Sequence, residues 1–147
     1  MLMKLRYLFI LLLPALFMSC SKDLKHTNSI HGTWEIARIE QLSANGTTVF
    51  TTVPTGIMQF DKCQVNQNDT RAFRQQYSYS TGTETVAFNE TGTYTFDNDG
   101  QLLVVTIPND NGHTEMFYHV TSFQNKKLVM EKQNGDGGKM VYSLIRK

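Results

Sequence analysis

From Gly32 onward the chain consists of short runs rich in Thr, Val, Phe and Tyr, and no stretch of a dozen residues carries helical spacing. β-Branched and aromatic residues suit a pleated, half-buried surface, so these runs predict strands at 32–42, 46–53, 57–66, 72–80, 84–89, 92–97, 101–107, 114–123, 126–132 and 139–146. Side chains alternate across a strand. In 92–97 the alternation puts Tyr94 and Phe96 on one side, with Thr93, Thr95 and Asp97 on the other. In 114–123 it sets Met116, Tyr118 and Val120 against Phe117, His119 and Thr121. The runs 101–107 and 140–145 are apolar on both faces. That suits a barrel strand covered outside by a neighbour, and equally a strand within a two-sheet sandwich. Periodicity leaves both open.

Between the runs lie Asx-Gly pairs at Asn45-Gly46, Asp99-Gly100, Asn111-Gly112, Asn134-Gly135 and Asp136-Gly137. These residues tolerate the positive φ angles of tight hairpin turns. Evenly spaced hairpins predict an antiparallel meander. The segment 67–91 is the least regular and leaves room for a short helix or a long loop.

The N-terminus has a different grammar. Lys4 and Arg6 precede an apolar run from Tyr7 to Met18 broken only by Pro14, and Ser19 sits just before Cys20. Charged, then apolar, then small is the layout of a cleaved export signal. The alternative, a retained membrane span, needs about 20 predominantly apolar residues, more than this run supplies. Cys20 at the cut site resembles the lipobox of bacterial lipoproteins, although Phe17 and Met18 stand where that box usually carries Leu and a small residue. The resemblance implies that Cys20 becomes the lipidated first residue of an anchored protein. A single acyl chain binds a membrane only marginally, and lipoproteins of this type carry several. Ser21-Lys22-Asp23 lacks the Asp directly after the cysteine that commonly retains lipoproteins at the inner membrane, so the analogy implies an outer-membrane lipoprotein, facing the periplasm or the surface. Residues 21–31 are polar and without period, a flexible tether. The layout is therefore signal 1–19, lipidated Cys20 and tether 20–31, and one β domain 32–147.

Removing residues 1–19 takes Lys4 and Arg6 with it, so Lys+Arg falls from 14 to 12 against 13 Asp+Glu, a net charge of −1. A near-neutral domain without a basic stripe carries no footprint for nucleic acid. With Cys20 acylated, Cys63 has no partner for an intrachain disulfide, and a buried free thiol is its simplest role.

Gly32-Thr33-Trp34 opens the first run and Arg146 closes the last, which resembles the Gly-x-Trp and late Arg of lipocalins and other calycins. The stretches Gly92–Gly100, Leu128–Glu131 and Tyr142–Lys147 likewise resemble motifs of small lipocalin-like lipoproteins of Gram-negative bacteria. The resemblance implies an all-β, antiparallel up-and-down barrel of about eight strands, with Trp34 and Arg146 as its closing pair. Read without it, Trp34 is a core residue and Arg146 a solvated terminal charge. It also implies a small hydrophobic ligand. Met58, Phe60, Phe73, Tyr77, Tyr79, Phe88, Tyr94, Phe96, Met116, Tyr118 and Tyr142 are the interior candidates, and they either line a pocket or fill it.

Catalytic and metal chemistry find no foothold. His26, His31, His113 and His119 are scattered, and no Cys/His pair has zinc spacing. Cys63 and His119 lack any third group to orient the imidazole. Asp97-Asn98-Asp99-Gly100 would place Thr95 and Thr106 at two essential positions of a calcium loop, so a turn explains it better. The Asn-x-Thr triplets at Asn45, Asn68 and Asn89 matter only in a glycosylating pathway, which a bacterial-type signal argues against. The reading is a non-enzymatic, membrane-anchored protein without cofactor or metal. Its barrel either holds a small hydrophobic ligand or is filled, contacting an envelope partner through its surface or loops.

Overall fold

A computed structural model describes residues 29–62, 71–97 and 100–147 of the 147-residue chain. The export signal, Cys20, His26 and most of the tether lie outside the described residues, as do Cys63 and Asn68.

After a helical turn at residues 29–30, every regular element among the described residues is a strand. They are β1 (Gly32–Leu42), β2 (Thr48–Thr52), β3 (Thr55–Phe60), β4 (Arg71–Ser80), β5 (Thr85–Asp97), β6 (Leu102–Asn109), β7 (Gly112–Gln124), β8 (Lys127–Gln133) and β9 (Lys139–Arg146). All pair antiparallel with their chain neighbours from β3 through β9, and β1 pairs with β9 to close the ring. The free edge of β1 is shared. Its start holds β3 at Gly32↔Phe60 and its end holds β2 at Ile39↔Thr52. Pro54, buried and without an N–H, separates β2 from β3. The two are therefore one stave broken in the middle, and the barrel has eight. Full closure removes the unpaired edges that an open sheet would expose, and it decides for the barrel over the sandwich.

Three features depart from the sequence expectation. The runs 84–89 and 92–97 form one strand, β5, because Gly92 lets the chain approach the Thr106 carbonyl without breaking the strand. The run 57–66 ends as a strand at Phe60. The irregular-looking 67–91 is strand over Arg71–Ser80 and from Thr85 onward. Its hairpin turns at Thr81–Glu84, where Gly82 has φ 96°, without any Asx-Gly pair.

Besides a register shift at the Gln41/Leu42 end of the β1–β2 pair, two β-bulges break strict alternation where it decides what enters the core. β1 directs Trp34 and Ile36 inward, then shifts register between Ile36 and Arg38 so that Ile39 rather than Arg38 enters the core. β7 directs Met116, Tyr118 and Val120 inward, then shifts between Val120 and Ser122, which brings Phe123 to the ring of Trp34. A bulge adds one residue to one strand and so re-aims everything after it. All eleven interior candidates belong to the core or pack against it. Outside, Val104 lies directly across from Phe117, so part of the outward apolar face of β6 is covered by its neighbour.

Candidate functional site

The barrel has two unlike ends. At one, the first and last strands meet. Trp34 is fully buried, and its Nε1–H donates to the Ile30 carbonyl at 2.7 Å. Arg146 lies directly across the β1–β9 seam from Trp34, with its guanidinium carbon 4.6 Å from the indole centroid. The same guanidinium donates to the Ser29 carbonyl. Phe123 contributes a tilted ring at 6.0 Å, and the Lys147 N–H donates to the Thr33 carbonyl at 3.0 Å. Arg delivers a fixed planar fork, so one face can lie on the indole while its N–H groups reach a carbonyl. The structure thus brings the two proposed closing residues together, and the helical turn at 29–30 caps them.

The opposite end is aromatic. Phe50, Tyr79, Tyr77 and Phe88 form a chain of near-parallel rings, with centroid separations of 6.1, 6.3 and 4.7 Å along it and interplanar angles of 23°, 14° and 26°. Phe50, Tyr79 and Phe88 are only partly buried, so this stack forms the rim of the barrel at this end. Below it the barrel turns polar. Tyr118 packs edge-on to Tyr142 at 5.7 Å, and the Tyr118 hydroxyl meets Met116 Sδ at 3.6 Å. The Gln75 side-chain amide donates to a carboxylate oxygen of Glu90 on the next strand, where the two residues are directly paired. Gln75 is 1 % exposed, and its Oε1 has no hydrogen-bond partner among the described residues.

Gln75, Glu90 and Phe50 are absent from the interior expected of the sequence. A signal was present for two of them. Gln75 shares its strand face with Phe73, Tyr77 and Tyr79, and Glu90 with Phe88, Tyr94 and Phe96. Dividing β5 near Glu90 concealed that parity. His31 precedes β1, while His113 lies at the exposed start of β7 and His119 on its outer face, and no group of three or more His, Cys, Asp or Glu that could hold a metal is found among the described residues.

Burial dominates the chemistry of the interior hydroxyls. It pushes Tyr118 far up from its ordinary value, with the nearby Tyr142 and Glu90 adding to the effect. Tyr77 is raised further still, first by burial and then by the neighbouring Tyr142 and Tyr118. Tyr142 is pushed up to about 12 by burial, with the Tyr77 hydrogen bond pulling the other way. An unfolded tyrosine ionises near pH 10, so the folded state holds protons that the unfolded state releases. Stability from Tyr142 is therefore complete below about pH 10 and declines as pH rises toward about 12. Absorbance titration of phenolate should show Tyr142 ionising near 12, with Tyr77 and Tyr118 following only as the barrel unfolds. Ordinary titration of all three near pH 10 would contradict the buried interior.

A lipocalin-like domain family matches residues 30–130 of this chain. The chain belongs to the lipocalin-like family. Arg146, the partner of Trp34, lies beyond the matched segment, so the closing pair of this lipocalin-like barrel rests on its own geometry. Among solved structures, a redesigned β-barrel is similar at 18 % identity and a TM-score of 0.45, covering 88 % of this chain and 98 % of its own. No curated protein matches the chain.

Proposed function

We propose that this lipocalin-like barrel is the ligand-holding head of an envelope lipoprotein, acylated at Cys20 and carried on the tether 20–31 at the outer membrane. The single observation that supports it is the asymmetry of the barrel. One end is plugged by Trp34, Arg146 and Ile30, and the other is bordered by a stack of aromatic rings of which Phe50, Tyr79 and Phe88 are only partly buried. A closed barrel with one sealed end offers a concave apolar site of the kind that takes one small ligand. The charged-apolar-small order of residues 1–19 supports export, and Ser19-Cys20 supports the anchor. A second reading draws on the bulk of the interior. Tyr77, Tyr94, Tyr118 and Tyr142 occupy much of the lumen, which favours a filled barrel contacting an envelope partner through its surface.

Native mass spectrometry of the protein extracted from membranes decides between them. The expected spectrum starts at Cys20, carries the mass of acyl chains there, and shows a further non-covalent mass that disappears on denaturation. Cys20→Ser should abolish the acyl mass. An acylated protein without bound mass favours the second reading, and a chain still carrying residues 1–19 unmodified overturns the anchor.

A further inference from the structure

The wall of the barrel has a gap on one side. The β4–β5 ladder runs its full length to Ser80↔Thr85, and the β6–β7 ladder continues to Asn109↔Gly112. Between them, the β5–β6 ladder runs from Asp97↔Leu102 only as far as Thr93↔Thr106. Two residues further along β6 sits Pro108, which has no N–H with which to extend the pairing. The strands separate there, and the space between them is a cavity of about 360 Å³, within the usual size of small-ligand sites. Its inner wall includes Ile107 and Met116, both members of the core. Asn89 and Thr91 border it on the solvent side.

Glu90 also lines this cavity. Its position on β5 gives it the same face as the core residue Tyr94, and its charge contributes to raising Tyr118 inside the barrel. The carboxylate is held from behind by the amide of buried Gln75. Among the described residues no Lys, Arg or His lies within ion-pairing distance of Glu90. A half-buried carboxylate positioned by a neutral amide, beside apolar walls and without a protein counter-charge, is complementary to a cation brought by a ligand.

We propose that the β5–β6 gap is a binding site for a small amphiphilic cation, with an ammonium head on Glu90 and an apolar body against Ile107 and Met116. The proposal rests on the barrel being a ligand holder and adds to it the chemical class of the ligand and a lateral way in. The carboxylate supplies the discrimination. An amine gains the ion pair, an alcohol of the same length gains one hydrogen bond, and a fatty acid brings like charge against like.

The test compares octylamine, octanol and octanoate as ligands of the full chain in nonionic detergent. Apparent affinity is read from the ligand-dependent rise in melting temperature, followed by the fluorescence of the single tryptophan. Octylamine should bind at least about tenfold more tightly than octanoate, and that ratio should shrink with added salt. Glu90→Gln keeps an acceptor for Gln75 but loses the charge, and should bring the ratio below about threefold. Equal affinities in the wild type, or a preference that survives Glu90→Gln, overturn the cation site and leave the ligand-holding barrel standing. If none of the three shifts the melting temperature, the ligand-holding reading fails, and this proposal with it.

Discussion

Replacing Trp34 with alanine should cost about 4–5 kcal/mol and lower the melting temperature by roughly 15 °C, measured by far-UV circular dichroism. The ring is completely buried, so the substitution leaves a large cavity at the sealed end. It also leaves the Ile30 carbonyl without its donor and removes the face on which Arg146 rests. Such a loss is a large fraction of the about 5–15 kcal/mol that holds an ordinary domain together. Trp34→Phe keeps a ring and most of the packing, and should cost about 1–2 kcal/mol. Arg146→Ala should cost a similar amount, because the cation–π contact and one charge-assisted hydrogen bond go together. The double replacement of Trp34 and Arg146 should cost less than the sum of the two. Strict additivity would show that the two residues do not stabilise the seam through each other.

Gly56→Ala should be nearly as damaging, for a different reason. Gly56 has φ 137°, a conformation that L side chains rarely adopt. A Cβ built there would stand 2.1 Å from the Gln76 carbonyl oxygen and 2.5 Å from Tyr77 Cα. Both are backbone atoms of the next strand, so the neighbour cannot swing aside. Backbone strain alone is worth about 1–3 kcal/mol, and the clash adds to it by forcing β3 away from β4. A loss of at least about 3 kcal/mol in denaturant unfolding is expected. Gly46 provides the control. Its φ is 82° in the β1–β2 turn, but nothing lies within 4 Å of its virtual Cβ, so Gly46→Ala should cost only about 1 kcal/mol. If the two substitutions proved equally mild, the close approach of β3 to β4 at Gly56 would be wrong.

Much of the barrel was legible in the chain, because its information is local. The alternation of Tyr94 and Phe96 with Thr93 and Thr95, and of Met116 and Tyr118 with Phe117 and His119, identifies the inner face without any tertiary knowledge. Where alternation slips, the sequence was silent. Nothing about Ala37 or Thr121 marks a bulge, since that extra residue is fixed by the register of the partner strand. The turn at residues 125–126 escaped the Asx-Gly pattern because Asn125 adopts φ 50° without a following glycine. The site was harder still. Gln75 and Glu90 gain meaning only through facing each other across β4 and β5, and the gap beside them depends on where a third strand stops pairing. The lipocalin-like membership matches the expected resemblance.

The bond from Arg146 to Ser29 spans 117 positions of the chain. Joining points so remote in sequence is the slow, entropically expensive part of reaching a native state. The cylinder therefore cannot close before β9 has been synthesised and has met β1.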